Sequence, residues 1–477
     1  MATGQRYVVV DASTAGTNYN ASTLNYAISG ATSAILSGTT ATSGSRSDLV
    51  VSVLSTDGTL PVTTTTKPVT EPAIPTINTI QQATLSTVTQ RSSNSGAALS
   101  GLVSYTAVSS PALLNLYNAS LALLDTGSSG GASTAGAQLS PVSQLSASRA
   151  AAAPTISSLN VVSAHVDSVR LAQADISGGG ASGGTGSSGI ATGENAAQTG
   201  VWGQAFGGHS SQNVTQGIAG YSANYGGLLL GADRAFGDHW MAGGVFSYSN
   251  AAVNSTGSAA GDNTRVNSYG AIAYAGYTAN PWYANFSAGV VQQRYNENRE
   301  IDFTGFSGNA NGSFSGTQYV ARGEVGYPIA LRVATITPLA SMTYSYQHQD
   351  GYTESGGNGA ALTLGASHTT SVKSELGAKI ERAFQTRYGI LIPSVQAAWR
   401  HEFDHTRALV NASYAADATG ETGFSTLGAS PTTESGVLTA GITLLRQNNM
   451  TITAQYQLEA ASGYLSQGGT LRLRQLF

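Results

Sequence analysis

Cysteine is absent from all 477 residues. Disulfide frameworks and thiolate chemistry are therefore excluded, and such a chain can cross an oxidising compartment unfolded without being trapped by mispaired thiols. Charge is sparse as well. Only 10% of residues are charged and the formal net charge is -4, which leaves no basic field to draw in nucleic acid. Long apolar runs are also missing: no segment approaches the roughly 18 apolar residues of a membrane-spanning helix. Yet the mean hydropathy is -0.04, close to neutral. Polarity comes from uncharged side chains and from 58 glycines, alongside 22 tyrosines. That mixture suits many strands joined by polar turns.

The chain divides into four zones. Residues 1–66 hold short β-rich runs such as Tyr7-Val8-Val9-Val10 and Leu49-Val50-Val51-Ser52-Val53-Leu54, separated by Ser, Thr, Gly and Asn. Residues 67–153 are rich in Ala, Ser and Leu and are partly helical in pattern, for example over 97–103 and 111–124. In 154–198 a helix is expected from Thr155 to Leu171, with Ile156, Leu159, Val162, Val166 and Val169 on one face. Pro154 and Thr155 fit its start, Asn160 is its only asparagine, and a Gly/Ser linker follows over 177–189. From residue 199 to Phe477 the character changes to period two.

In a strand, alternate side chains point to opposite faces. Tyr319, Ala321, Gly323, Val325 and Tyr327 share one face, while Gln318, Arg322 and Glu324 share the other. In 372–381 Val372, Leu376, Ala378 and Ile380 oppose Lys373, Glu375, Lys379 and Glu381. These runs are longer than the strands of about 5–6 residues usual in soluble sheets, and they suit the ~9–11 residues of a tilted membrane-spanning strand. Tyr319 and Tyr327 lie eight positions apart on the apolar face, as do Tyr269 and Tyr277. Eight residues of a strand tilted near 40° climb roughly 20 Å, close to the ~25 Å apolar band between the aromatic girdles of outer-membrane barrels. Segments of this kind begin near 201, 221, 240, 264, 282, 315, 334, 371, 389, 435, 450 and 469. The expected fold is all-β: an antiparallel transmembrane β-barrel of about twelve strands. Short turns such as Gly237-Asp238 alternate with long loops such as 348–370 and 404–434.

Three motif matches carry no chemistry. His401-Glu402-Phe403-Asp404-His405 has zinc-protease spacing, but that site needs a helix, where residues four apart share one face within reach of one metal. Along a strand, positions four apart lie about 13 Å from each other. Gly180-Ala181-Ser182-Gly183-Gly184 matches a nucleophile elbow, and Gly178, Gly180 and Gly183 match a dinucleotide fingerprint. Both fall in the Gly/Ser linker, without the strand-turn-helix or βαβ context either requires. No cofactor, metal site or enzymatic activity is expected, and 1–66 has no histidine to serve as a base.

From about residue 95 onward the chain resembles the C-terminal translocator of type Va autotransporters. The resemblance rests on Val201-Trp202-Gly203-Gln204 in the first strand, Gly231-Ala232-Asp233 in the second, and Trp399-Arg400-His401-Glu402-Phe403 after Pro393 in the ninth. It rests also on a final Phe477 preceded by Leu471 and Leu473, with Gln475 departing from the usual apolar residue. The resemblance implies an outer-membrane barrel over 199–477 that secretes or displays its own passenger at the cell surface. Residues 1–66 then form a β-helix-like passenger end, 67–153 a helical junction and 154–198 the lumen helix with its linker; a secretory leader is expected upstream of Met1. Arg322, Glu324, Lys373, Glu375, Lys379 and Glu381 become lumen-facing groups that hold the helix. Leu471, Leu473 and Phe477 become the signal read by the barrel assembly machinery, and the other implied partners are periplasmic chaperones, outer-membrane lipid and lipopolysaccharide. Asn160 is a self-cleavage candidate by position, but the paired asparagines of self-cleaving members are missing and a plain polar role fits better. The alternative is a porin-like or adhesin-type barrel without self-secretion.

Overall fold

A strand in hydrocarbon leaves its amides and carbonyls no partner but another strand, so a sheet that crosses a membrane must close on itself. The computed structural model describes residues 1–13, 24, 26–27, 33–43, 46–57, 77–177, 199–279, 281–446 and 449–476, and in it the sheet does close. Twelve long strands follow in chain order: β4 (Thr199–Gln212), β5 (Tyr221–Phe236), β6 (Trp240–Ser255), β7 (Asn263–Thr278), β8 (Tyr283–Phe303), β9 (Phe306–Gly326), β10 (Thr335–Gln349), β11 (Ser367–Glu381), β12 (Gly389–Glu402), β13 (Glu434–Leu445), β14 (Met450–Ala461) and β15 (Tyr464–Leu476). Each pairs antiparallel with the next, and β15 returns to β4 from Tyr464↔Gln212 to Leu476↔Gly200. The expected number of strands is found. The β8–β9 hairpin is longer than its sequence pattern indicates: it runs to Phe303↔Phe306 around a tight turn in which Gly305 takes φ +89°. Asn, Ser and Gly between 296 and 313 read as loop, but ladder bonds and cross-strand amide pairs such as Asn298 to Asn311 (3.0 Å) keep them extended.

The barrel is inside out relative to a soluble protein. Leu230 is 66% exposed on the outside and Arg472 2% exposed on the inside. Aromatic side chains gather at the two rims of the apolar belt. Tyr248 and Tyr269 meet at one rim (5.3 Å between ring centroids), while Tyr277 contacts Trp240 (4.8 Å) and Trp282 (5.3 Å) at the other. The second rim carries the short turns and the start of β4, the side expected to face the periplasm. The first carries the long loops.

Before the barrel, β1 (Arg6–Val10), β2 (Ile35–Ser43) and β3 (Arg46–Ser55) form a sheet in the order β1-β3-β2. Both pairings are antiparallel, which differs from the β-helix-like rungs expected for 1–66, since rungs of a β-helix stack parallel. Four helices follow: α1 (Thr79–Arg91), α2 (Ser93–Val103), α3 (Pro111–Asp125) and α4 (Ser129–Leu139). Residues 67–76, at the start of the expected junction, lie outside the described residues. Asn78 starts α1 with a capping box, its side chain accepting from the Gln81 amide while the Gln81 side chain accepts from its own. Pro111 occupies the first turn of α3 after the Ser110 cap. These helices share one hydrophobic core with the barrel's outer loops, where Leu102, Leu113 and Leu121 pack with Leu362, Tyr414 and Phe424. They form a cap over the long-loop mouth.

The helix α5 (Val142–Ser177) then descends through the lumen. It begins twelve residues before Pro154, which sits inside the helix. Ala147 and Ala150 to Ala153 are strong helix formers. Proline forfeits one backbone bond there, and Ser158 donates to the Pro154 carbonyl at 2.9 Å. Apart from Ser177, which ends α5, the Gly/Ser linker lies outside the described residues.

Lipid contact on the outer face is testable near the middle of the belt. Leu230→Arg is expected to destabilise the barrel by about 2–4 kcal/mol, measured as a lower urea midpoint for loss of the heat-shifted gel band. Leu230→Ile should stay near the parent.

Candidate functional site: the barrel lumen and its outer clamp

The lumen is apolar on one side of α5 and polar on the other. Leu159, Val162 and Val166 are buried against a wall made by β4–β7, with Trp202, Phe206, Leu229, Val245 and Ile272. Gly276 leaves the space that Val166 fills. Polar groups set into this wall form a relay: Trp202 Nε1 donates to Tyr274 Oη (2.8 Å), and Tyr274 Oη donates to Asp233 Oδ2 (3.2 Å). Arg474 Nη2 donates to Asp233 Oδ1 (2.9 Å). Gly231 carries no Cβ because the Trp202 indole occupies that space. The motifs Val201-Trp202-Gly203-Gln204 and Gly231-Ala232-Asp233 thus meet in one relay that joins the first strand to the last.

Across the lumen, three cavities of about 160, 60 and 90 Å³ run along α5 from the outer mouth toward the periplasmic end. Ile156 lines the upper two instead of packing on the apolar wall, and Asn160 lines the lower two while donating to Gln457 Oε1 at 3.1 Å. Val169 lies on α5, but its side chain falls outside the described residues. Arg322, Glu324, Glu375, Lys379 and Glu381 are buried around the deepest cavity, and Lys373 borders the outermost. They pair along the barrel wall: Arg322 with Glu324 (3.0 Å), Lys379 with Glu381 (3.3 Å), and Arg400 with both Glu375 (2.7 Å) and Glu459 (2.6 Å). Further hydrogen bonds fix α5 to the barrel. Gln293 donates to the Ala151 carbonyl (3.4 Å), and Arg149 donates to Gln212 (2.9 Å) and to the Ala429 carbonyl (3.4 Å).

A second cluster clamps the elbow between α4 and α5, beyond the outer aromatic rim. Arg299, fully buried, makes a two-pronged pair with Glu354 (2.6 and 3.1 Å) and donates to the carbonyls of Gln138 (2.7 Å) and Ala360 (2.7 Å). Glu297 accepts from Ser143 on the first turn of α5 and from Tyr352 Oη (2.6 Å). Asp262 Oδ1 accepts from the Glu300 amide at 2.8 Å. Burial pushes the Asp262 carboxyl up to about 7; Arg299 and the Glu300 amide pull it back, and Glu297 adds to the rise. Glu297 is raised too, by burial and then by Glu354. Sequence reading missed this clamp because 296–314 read as loop. The signal was present, since Glu297 and Arg299 are two apart and share a face in any strand.

The remaining sequence-predicted residues fall apart from these groups. Leu471 and Leu473 face outward, each 52% exposed, and Phe477 lies outside the described residues. The zinc-like motif is split across the wall: His401 contacts Glu434 (2.7 Å), while Glu402 accepts from the Val372 amide (2.8 Å). Among the described residues no group of three or more His, Cys, Asp or Glu is placed to hold a metal.

A closed twelve-stranded barrel threaded by a helix is the architecture of a self-secreting outer-membrane translocator. The autotransporter beta-domain family model matches residues 201–457, more than half of the chain, and the chain belongs to the autotransporter family. Outer membrane protein A of Rickettsia rickettsii is 23% identical over 226 residues, 45% of this chain and 10% of that protein. Lipase 1 of Photorhabdus luminescens is 26% identical over 200 residues, 40% of this chain and 29% of that protein. Among solved structures, the translocator domain of autotransporter NalP from Neisseria meningitidis is similar with a TM-score of 0.48 at 15% identity, covering 67% of this chain and 98% of that one. The chain thus spans about a tenth of the length of the Rickettsia protein. Its barrel is an outer-membrane translocator of type V secretion and is not itself an enzyme.

The clamp should respond to pH. An unfolded aspartate titrates near 3.9, below its folded value of about 7. The folded state therefore holds the proton more tightly, so Asp262 contributes most stability below about pH 4 and loses that contribution as pH rises to about 7. The urea midpoint of cap unfolding should fall between pH 5 and pH 8, and Asp262→Asn should flatten the fall. Arg299→Gln leaves buried Glu354 without its cation and should cost about 3–5 kcal/mol in the same assay.

Proposed function

We propose that the full protein exports its own N-terminal region through this barrel and displays it outside, and that α5 then stays as the plug. The supporting observation is the direction of α5. Its first turn meets Glu297 at the long-loop mouth, and its lower part packs beside Gly276 on the short-turn side, where β4 begins. A chain so threaded has its cap and the β1–β3 sheet outside and its linker inside. The apolar wall and the bonds to Ala151, Arg149 and Asn160 hold the plug, with the lumen charges Arg322, Glu324, Lys373, Glu375, Lys379 and Glu381 forming its wet side.

In this reading the domains are the passenger end (1–66), the junction that forms the cap (67–153), the lumen helix and linker (154–198) and the barrel (199–477). Leu471, Leu473 and Phe477 present the terminal strand to the barrel assembly machinery, and periplasmic chaperones keep the chain unfolded before insertion. The lumen helix stays uncut at Asn160, whose amide is engaged with Gln457.

Two measurements test this reading. An epitope fused to Met1 should be removed by protease added to intact cells; protection of the epitope favours the porin-like alternative. In planar bilayers the full chain should pass little current and a deletion of 142–177 should open a wide pore, so a wide, steady pore in the full chain defeats plugging.

A further inference from the structure

Three consecutive periplasmic turns differ from the rest of the surface. The β9–β10 turn is Tyr327-Pro328-Ile329-Ala330-Leu331-Arg332-Val333-Ala334, the β11–β12 turn is Arg382-Ala383-Phe384-Gln385-Thr386-Arg387-Tyr388, and the β13–β14 turn begins at Arg446. They hold four arginines and no acidic residue. All four arginines are exposed, and among the described residues none has a carboxylate partner. Apolar side chains stand beside them in the open: Leu331 is 50% exposed and Val333 65%. Arg382 lies over the Phe384 ring at 5.0 Å and Arg387 over the Tyr388 ring at 4.6 Å. Gly389, at the start of β12, approaches Arg446 closely, so the second and third turns are contiguous.

Apolar side chains at the tip of a turn are costly in water. Isolated cations gain nothing in hydrocarbon. Both are satisfied at one depth, where acyl chains give way to headgroups. The β9–β10 hairpin continues past the Tyr327 rim through Ile329↔Ile336 to a tip closed by Leu331 N donating to the Ala334 carbonyl (2.9 Å). Two or three residues at ~3.3 Å each climb about 7–10 Å, comparable to a headgroup layer of roughly 5–8 Å on each side of the hydrocarbon. The guanidinium fork matches phosphate oxygens, and stacking on Phe384 and Tyr388 fixes two of the four forks before any ligand arrives.

We propose that this arc is a binding shelf for the phosphodiester headgroup of an anionic glycerophospholipid in the periplasmic leaflet. Leu331, Val333, Phe384 and Tyr388 meet the upper acyl chain, and Arg332, Arg382, Arg387 and Arg446 meet the phosphate. The proposal rests on the barrel reading above, which sets the leaflet. The β5–β6 turn, where Asp238 follows Gly237, lacks this composition, so the shelf covers one arc of the rim and orients the barrel toward one patch of lipid.

Retention of phosphatidylglycerol against phosphatidylcholine of the same acyl chains, read by native mass spectrometry of the folded full chain in nonionic detergent, tests the shelf. The parent should prefer phosphatidylglycerol by at least about tenfold. Combined Arg332→Gln, Arg382→Gln, Arg387→Gln and Arg446→Gln should abolish the preference, the four lysine replacements should restore part of it, and Arg265→Gln with Arg294→Gln on the opposite rim should leave it intact. Undiminished preference in the four-glutamine variant overturns the shelf and favours a protein partner for this arc. Competition by soluble glycerol phosphate as strong as by whole lipid also overturns the lipid assignment, because the apolar side chains then add nothing. A heat-shifted gel band in parent and variant confines either failure to the shelf. Absence of that band from the parent sinks the barrel reading and the shelf with it.

Discussion

Hydrocarbon offers the peptide backbone no hydrogen bonds, and the joint between the first and last strands is where that demand is hardest to meet. Eleven of the twelve pairings join strands that follow one another in the chain, but β4 must find β15 across more than two hundred residues. A ladder that long-range forms late, because its loop-closure cost comes before its reward. The side chains concentrated there reflect the difficulty. Trp202, Tyr274, Asp233 and Arg474 bind one another across β4, β7, β5 and β15, and Gly231 is the gap that lets the indole in.

Closure then dictates the rest of the chemistry. The outside takes the apolar side chains, so charges collect inside, where Arg400 holds Glu375 and Glu459 together. Buried ion pairs of this kind contribute specificity more readily than net stability. A helix that must occupy such a lumen cannot be apolar all round. One side of α5 meets a wall of Trp, Phe, Leu and Val, and the other borders polar cavities. This accounts for the weak amphipathicity of the segment, which would be a poor helix alone in water.

Much of this was legible in the residues, for a physical reason. Strict alternation is imposed by having lipid on one side and water on the other, so Tyr319 to Tyr327 and Leu376 to Ile380 reveal strand, face and depth together. The same logic fails where both faces are polar. Beyond the outer rim Asn296, Asn298, Asn309 and Asn311 face solvent on an extended hairpin, and no apolar period marks them as strand. The clamp at Arg299 was hidden with that hairpin. Pro154 gave the opposite error, since a residue that often opens a helix stands inside one that packing and alanine sustain. The antiparallel pairing of β1 with β3 depends on register between segments distant in the chain, which short Val-rich runs do not encode.

The cap has a consequence for how firmly the proposed exported region is held. Asn94 exchanges two hydrogen bonds with Leu427 (2.7 and 2.9 Å), and the Tyr414 hydroxyl donates to the Ala98 carbonyl at 3.3 Å. On the far side of the helices, Gln81 donates to the Thr3 carbonyl at 2.9 Å. The junction is therefore riveted to the loops below it and to the sheet above it. Severing the chain within the pore would remove the covalent leash and leave this second fastening in place, so departure from the cell requires breaking a hydrophobic core as well as a peptide bond.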